Sequence, residues 1–560
     1  MSITRTAPLR ETTTTAPETM SMPDRKRVTE RLIESHYLKS PLHGVGKPRP
    51  PLATISAMFA RAVDDAPEAV AFRHRDVSLT YSKAGRAVAA LARRLASLVQ
   101  PGAVAALVLP NSIEFGIAYF AALEALTTPA LLNPSYPAPQ LETLLREVSA
   151  GVIICVPSTR DRVADLPCPL GGSHVICLEE NLAIATLVAE TQGSATLRQP
   201  EPEEAAALLF SGGTTGLSKI VEHTHERLLI SARCLERIWP TRPQEEVFLP
   251  IAPFSHIYGF MMGLLFPISA RAEIVIPERF QPEHIVNLFA RRRVTIFGGG
   301  PPAIYAGVLA ADNLAAADLT VLRVCPAGGA PFPVELMERW RRATGLQIQE
   351  GYGMTEMAPI SATTNVSGVR PGSVGMVVPG SEAQVVDLET GTRVLRPGER
   401  GEVRVRGPHM MTGYRNRPEE TARAIRNGYI YTGDIGHLDE DGFLFITDRK
   451  KDVVFVKGFN VFPREVEEAV HTHPKVGAVG IVGVPDARTS GERLIAFVVP
   501  GKGEALDVGE IITHCASRLA AYQCPSEIRI VTSLPMTGAQ KLDRVALRST
   551  ARSERKTLTD

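Results

Sequence analysis

The chain has 560 residues, too many for one ordinary domain and enough for about three or four structural units. Hydrophobic residues make up 44% and charged residues 22%, and 61 Lys plus Arg against 60 Asp plus Glu leave a net charge of +1, which argues for a soluble globular protein and against a nucleic-acid partner. The seven cysteines, Cys155, Cys168, Cys177, Cys234, Cys325, Cys515 and Cys524, are odd in number and contain no C-x-x-C pair, which argues against a disulfide framework or zinc site and for a reducing cytoplasm.

Residues 1–51 mix Thr, Pro and Arg with Glu11, Glu18 and Asp24 and lack an apolar h-region, so they read as a disordered extension rather than a secretory leader. No run approaches the roughly 20 apolar residues that span a bilayer, so no integral membrane segment is expected. Peripheral contact with a membrane stays open, and so does a homodimer. From residue 52 short apolar runs alternate with amphipathic segments: 104–109, 115–126, 130–132, 141–148 and 152–156. This is a βαβ rhythm, and it predicts an α/β fold with one or two mostly parallel, helix-covered sheets.

The strand-like run 205–210 empties into Ser211-Gly212-Gly213-Thr214-Thr215-Gly216-Leu217-Ser218-Lys219. Three glycines allow close backbone approach, threonine hydroxyls donate, and a lysine supplies a point charge: this is phosphate-binding chemistry at a sheet edge. A Walker A loop needs Gly-Lys followed by Ser or Thr, whereas Ser218 precedes Lys219 and Ile220 follows it. A flexible Gly/Ser/Thr linker is the alternative for the loop taken alone.

Further strands are expected at 247–251, 274–276, 295–297 and 322–325, with helices at 282–291 and 334–343 between them. Pro253-Phe254-Ser255-His256-Ile257-Tyr258-Gly259 places one histidine in an aromatic turn, and such a histidine is more often structural than catalytic. Gln349-Glu350-Gly351-Tyr352-Gly353-Met354-Thr355-Glu356 offers a ring for base stacking, a hydroxyl for phosphate and a carboxylate for magnesium. Beyond Gly372 short strands closed by turns predict a β-barrel or sandwich unit over about 372–447, where Tyr431-Thr432-Gly433-Asp434 ends a strand with an acid able to accept from two ribose hydroxyls. The charged run Asp448-Arg449-Lys450-Lys451-Asp452 reads as a hinge or a solvated turn. A small α+β domain follows, with a hairpin, helices at 463–471 and 508–520, and strands at 479–484 and 494–499. Leu534-Pro535-Met536-Thr537-Gly538-Ala539-Gln540-Lys541 sets a lone lysine in a late loop.

Together these segments resemble the adenylate-forming superfamily: acyl-CoA synthetases, adenylation domains of nonribosomal peptide synthetases, and firefly luciferase. The resemblance spans about residues 52–547. The stretch Val456-Lys457-Gly458-Phe459-Asn460-Val461-Phe462-Pro463-Arg464-Glu465-Val466-Glu467 is most similar to the fatty-acyl-CoA and aryl-CoA ligase branch, and no carrier-protein pattern follows it. The implied organisation is an extension (1–51), an N-terminal adenylate-forming domain (52–449), a mobile C-terminal domain (450–548) and a polar tail (549–560).

The resemblance implies a two-step reaction with ATP, Mg2+ and CoA. A carboxylic acid attacks the α-phosphate of ATP to give acyl-adenylate and pyrophosphate, and the CoA thiol then displaces AMP. Ser211, Gly212, Gly213, Thr214, Thr215, Gly216 and Lys219 would hold the phosphates, Glu356 the magnesium, and Thr355 the α-phosphate. Tyr352, between Gly351 and Gly353, would lie against adenine, walled by Gly328, Gly329, Ala330 and Pro331, and Asp434 and Arg449 would bind ribose. His256 would sit beside the reacting carboxylate and Lys541 would bridge it to ATP. Lys451 would be the hinge about which Lys541 leaves and the CoA-binding loop Lys457-Gly458-Phe459 enters.

Three positions depart from the family pattern: Ser218 and Ile220 flank the phosphate-loop lysine, and Gln540 precedes Lys541. The implied acyl pocket, including Tyr258, Gly299 and Met357, is apolar and carries no arginine for a second carboxylate. That favours a monocarboxylic fatty, cyclic or aryl acid over a dicarboxylate such as malonate. The alternatives are an acyl-adenylate former serving a carrier protein or another acceptor, and a degenerate nucleotide-binding protein.

Overall fold

The computed structural model describes residues 52–164, 173–179, 182–190, 199–211, 218–364, 368–456, 459–486, 491–501, 503–536 and 542–553. The chain is α/β. Its largest sheet has six strands in the order His174–Cys177, Ala150–Cys155, Val104–Val108, Thr128–Leu132, Ala205–Ser211 and Lys219–Thr224, all parallel except the last pair. Val104–Val108 is buried at every position, because helices cover both faces of a parallel sheet and leave no polar side. The helix Ile113–Glu124 is buried almost all round, and its Ser112 cap accepts from the Phe115 amide at 3.2 Å.

A second sheet runs Ile296–Gly298, Val247–Pro250, Glu273–Ile276, Val70–His74, Val77–Thr80. Its last two strands form an antiparallel hairpin that the sequence rhythm does not announce: the turn passes through Arg75 at φ 52° without a glycine to mark it. The helix Tyr81–Leu98 then buries Tyr81, Ala84, Val88, Leu91 and Leu95, a stripe of three- and four-residue steps.

A third sheet was not expected. Cys325–Ala327 pairs in parallel with Ile348–Met354, which turns back antiparallel into Met357–Ala362 and on to Met376–Val377. The strand expected at 322–325 starts later because the Arg323 and Val324 amides both donate to the Thr295 carbonyl, tying this segment to the neighbouring sheet first. The helix Val334–Thr344 ends on Gly345 at φ +73°, whose amide donates to the Arg341 carbonyl at 2.9 Å.

The β-rich unit is an antiparallel sheet of Glu382–Val386, Gly401–Arg406, Tyr429–Leu438, Ile425–Arg426 and Leu444–Arg449. Beyond it, Val476–Pro485, Glu492–Pro500 and Glu527–Ile530 form a small sheet whose core includes Val454, Val466, Val470, Ile481, Leu494 and Ile511. The helix expected at 508–520 stops at Ala516, where the Arg518 and Leu519 amides turn back to the Cys515 carbonyl.

Candidate active site

Ser211 and Lys219 face each other as the last described cross-strand pair of an antiparallel ladder at the edge of the six-stranded sheet. Gly212, Gly213, Thr214, Thr215 and Gly216 lie outside the described residues. The Lys219 ammonium stands 4.6 Å from the ring centroid of Tyr414.

The Ile348–Met354 and Met357–Ala362 strands are joined by a two-residue turn that consists of Thr355 and Glu356. Three contacts fix it. The His223 Nε2 lies 2.8 Å from the Thr355 carbonyl, the Met411 amide donates to the Glu356 carbonyl at 2.8 Å, and the Tyr414 hydroxyl donates to Glu356 Oε1 at 2.7 Å. Glu356 is buried. A hard carboxylate oxygen held by the hydroxyl of a tyrosine whose ring faces a lysine suits a phosphate-bound magnesium ion.

On the same strand the Tyr352 hydroxyl donates to Asp434 Oδ2, and burial together with that carboxylate holds the phenol well above its ordinary range. Arg449, across the ladder from Asp434, brings Nε to 2.6 Å of Oδ1, and the carboxylate in turn raises the guanidinium's pKa. Tyr352, Asp434 and Arg449 thus form one connected chain, with Asp434 buried at its centre and the Arg449 side chain exposed at its end. The expected stacking face of Tyr352 and the ribose acid are joined, and a bound ribose would have to share Asp434 with the phenol.

The turn after Cys325–Ala327 brings Gly328 against this strand: a Cβ there would sit 2.7 Å from the Gly351 carbonyl and 3.3 Å from the Tyr258 ring. Gly329 has φ +83°, and Ala330 and Pro331 follow. A Cβ on Gly353 would press on Ala358 at 3.2 Å. His256 caps the short helix Ile257–Phe260, its Nδ1 accepting from the Tyr258 amide at 3.3 Å. The Tyr258 hydroxyl reaches the Pro326 carbonyl at 3.0 Å, so His256, Tyr258 and the 328–331 turn lie side by side. Gly299 makes room for Tyr305, whose ring a Cβ would meet at 2.7 Å.

Met357 departs from the expected set. Its side chain is fully buried beneath the β-rich unit with Val221, Ile360 and Met411, where its methyl would meet a Cβ on Gly407, and not with Tyr258 and Gly299. Gly407 leaves it room there, since that Cβ would stand 2.7 Å from the Met357 methyl.

Lys451 lies exposed on the short turn Lys450–Asp452, beside an Asp452 carboxylate held by Arg548 at 2.7 Å. Phe459 is exposed and stacks on Tyr522, centroids 4.4 Å apart. Lys457, Gly458 and Lys541 lie outside the described residues.

Several residues of the site carry no motif. Tyr414 and His223 touch the Thr355–Glu356 turn from 58 and 132 positions away. Burial drives the His223 pKa down to about 4. Trp239, buried, stands 3.5 Å from where a Cβ on Gly351 would be. Glu350 is buried and pushed up to about 8 by desolvation, against the opposing pull of Arg464 from the C-terminal region. Asn111 brackets the turn before His256, accepting from the Phe254 amide at 2.7 Å and donating to the Ala252 carbonyl at 2.9 Å.

Comparison with known proteins gives the family. The AMP-binding enzyme family matches residues 59–415, and the AMP-binding enzyme C-terminal domain matches residues 465–541. A long-chain-fatty-acid–CoA ligase of Bacillus subtilis (strain 168) is 33% identical over 482 residues, covering 80% of this chain and 85% of the relative. A feruloyl-CoA synthase of Amycolatopsis sp is 32% identical over 487 residues, covering 85% and 94%. Among solved structures, ATP-bound MatB from Rhodopseudomonas palustris superposes with a TM-score of 0.83 at 28% identity, covering 90% of this chain and 99% of that one. The amide bond synthetase McbA from Marinactinospora thermotolerans superposes with a TM-score of 0.80 at 27% identity, covering 89% and 99%.

Proposed function

The chain belongs to the AMP-binding enzyme family, and from that premise we propose that it is an AMP-forming acid:CoA ligase acting on a monocarboxylic fatty, cyclic or aryl acid. In the first step the acid's carboxylate attacks the α-phosphate of ATP and pyrophosphate departs. In the second the CoA thiol attacks the acyl carbon of the mixed anhydride and AMP leaves. Neither step needs a covalent enzyme intermediate, so the chain's task is to align two anions and neutralise the charge that builds between them.

The observation that carries this reading is the convergence on one hairpin of two clusters. Lys219, Tyr414 and Glu356 gather at its turn, and Tyr352, Asp434 and Arg449 gather along its strand. The first suits a triphosphate and the second a nucleoside. Lys219 supplies positive charge to the phosphates. Magnesium, when bound, would screen the phosphate charge, and Glu356 is the residue that would hold it. Thr355 offers a hydroxyl toward the α-phosphate. Asp434 accepts from the ribose hydroxyls, with the Arg449 guanidinium paired to its Oδ1. His256 and Tyr258 border the acid, and Lys541 would bridge acid and ATP until the C-terminal region turns about Lys451 and the Lys457-Gly458-Phe459 loop takes its place.

An apolar acid is favoured by the aromatic and glycine-rich surroundings of Tyr258, Gly299 and Tyr305. The test is ATP-dependent pyrophosphate release across short, medium and long fatty acids and aromatic acids, with and without CoA. Release with a subset of acids, accompanied by acyl-CoA, is the expected result. Release without thioester would turn the second step toward another acceptor, a reading for which the amide bond synthetase likeness is the motive. Silence across the panel would overturn catalysis.

A further inference from the structure

Tyr414 stands where the phosphate hairpin meets the Thr355–Glu356 turn. Its backbone is tied down on two sides: it bridges Val221 on the strand leaving the phosphate loop, and its amide donates to Thr421 Oγ1 at 2.9 Å. The next residue reinforces the tie, the Arg415 amide donating to the Ile220 carbonyl at 2.9 Å and its guanidinium reaching Glu222 at 3.3 Å. A ring anchored in this way has little freedom. Its hydroxyl donates to Glu356 Oε1 at 2.7 Å while the Lys219 ammonium stands 4.6 Å from its centroid.

From this geometry we propose that Tyr414 is a positioning residue for the nucleotide–metal complex. Its hydroxyl fixes one oxygen of Glu356 so that the other is presented to the cation, and its ring holds Lys219 beside the phosphates. The two charged groups reach the site from different sheets, 137 positions apart in sequence, and this one side chain registers them to each other. The proposal rests on the reading of Glu356 as the magnesium residue and of Lys219 as a phosphate residue.

The test separates the two. Calorimetric binding of ATP to the full chain is measured in Mg2+ and again in EDTA, for Tyr414→Phe, Tyr414→Leu, Glu356→Gln and the Tyr414→Phe/Glu356→Gln double variant. Tyr414→Phe keeps the ring and its packing and loses one hydrogen bond to a charged group, so binding in Mg2+ should weaken about tenfold while binding in EDTA stays within about twofold of wild type. Tyr414→Leu should weaken both, through the added loss of the ring face. If the hydroxyl acts through Glu356, the double variant should bind no more weakly than Glu356→Gln alone. Equal losses with and without Mg2+ for Tyr414→Phe, or additive losses in the double variant, would overturn the proposal. Should Glu356→Gln itself leave the preference for Mg2+ intact, the reading of Glu356 fails and this inference goes with it. Should Glu356→Gln remove the preference while Tyr414→Phe retains it, only the role of Tyr414 fails.

Discussion

At the scale of single residues, the parts of the site that could be read from the sequence are those whose chemistry is local. Lys219 lies next to glycines and threonines, and Thr355 and Glu356 share a short run with Tyr352. What could not be read is whatever acts across the fold. Tyr414, His223 and Trp239 look like ordinary core residues until the sheets assemble, and Met357 sits in a site motif yet packs in the core of the β-rich unit. His223 gives a prediction of its own. Burial, with smaller contributions from His409 and Arg227, lowers its folded pKa to about 4, so the unfolded chain binds its proton first as the pH falls. Stability should therefore be full above the ordinary histidine range and decline between about pH 6.5 and 4, by up to about 3 kcal/mol from this one group. Denaturant melts at pH 7 and pH 5 should show a smaller acid loss for His223→Gln than for wild type. An equal loss in both proteins would mean that the ring is charged, or exposed, in the fold.

At the scale of elements, apolar runs with a parallel-strand rhythm were legible because burial on both faces writes itself into composition. Val104–Val108 is the clearest case, and the helix Pro282–Arg291 falls where proline and a regular apolar stripe put it. The hairpin Val70–Thr80 escaped because its turn is built on Arg75 rather than glycine, and the third sheet escaped because Cys325–Ala327 is three residues long and pairs only after the chain has already been tied to Thr295. The hairpin Val454–Val456 and Phe459–Val461 carries the CoA-loop expectation at its tip. Its Val454, Val456 and Val461 are buried while Phe455 and Phe459 are exposed. A large side chain at Gly458 should block a pantetheine arm without touching the nucleotide site. Gly458→Trp is expected to keep acid-dependent pyrophosphate release within about threefold of wild type and to reduce thioester formation by at least about a hundredfold. Undiminished CoA turnover would remove the loop from the second step.

At the scale of the whole molecule, the joint between the two parts of the chain is polar. Arg400 pairs with Glu465, Arg464 Nη1 donates to the Ile446 carbonyl at 2.6 Å, and the Arg464 amide donates to Asp448. The Arg400–Glu465 pair is partly exposed, a kind of contact worth about 0–1 kcal/mol, whereas Arg464 and Asp448 are buried and held by hydrogen bonds. The proposed turn about Lys451 predicts that the two half-reactions separate genetically. Lys541→Ala should lower adenylate formation by about a hundredfold or more and still convert supplied acyl-adenylate to thioester, as single-turnover assays of each step would reveal. Parallel loss of both steps would instead make Lys541 structural. The positions of the aromatic residues add an optical consequence. The chain has two tryptophans, Trp239 beside Gly351 and Trp340 in the core with Phe297 and Tyr305, and its C-terminal part has none. Both indoles thus lie in the nucleotide-bearing part: a change in emission on adding ATP reports on the surroundings of Trp239 or Trp340, and an indole introduced at the exposed position of Phe459 against Tyr522 would report directly on the C-terminal part.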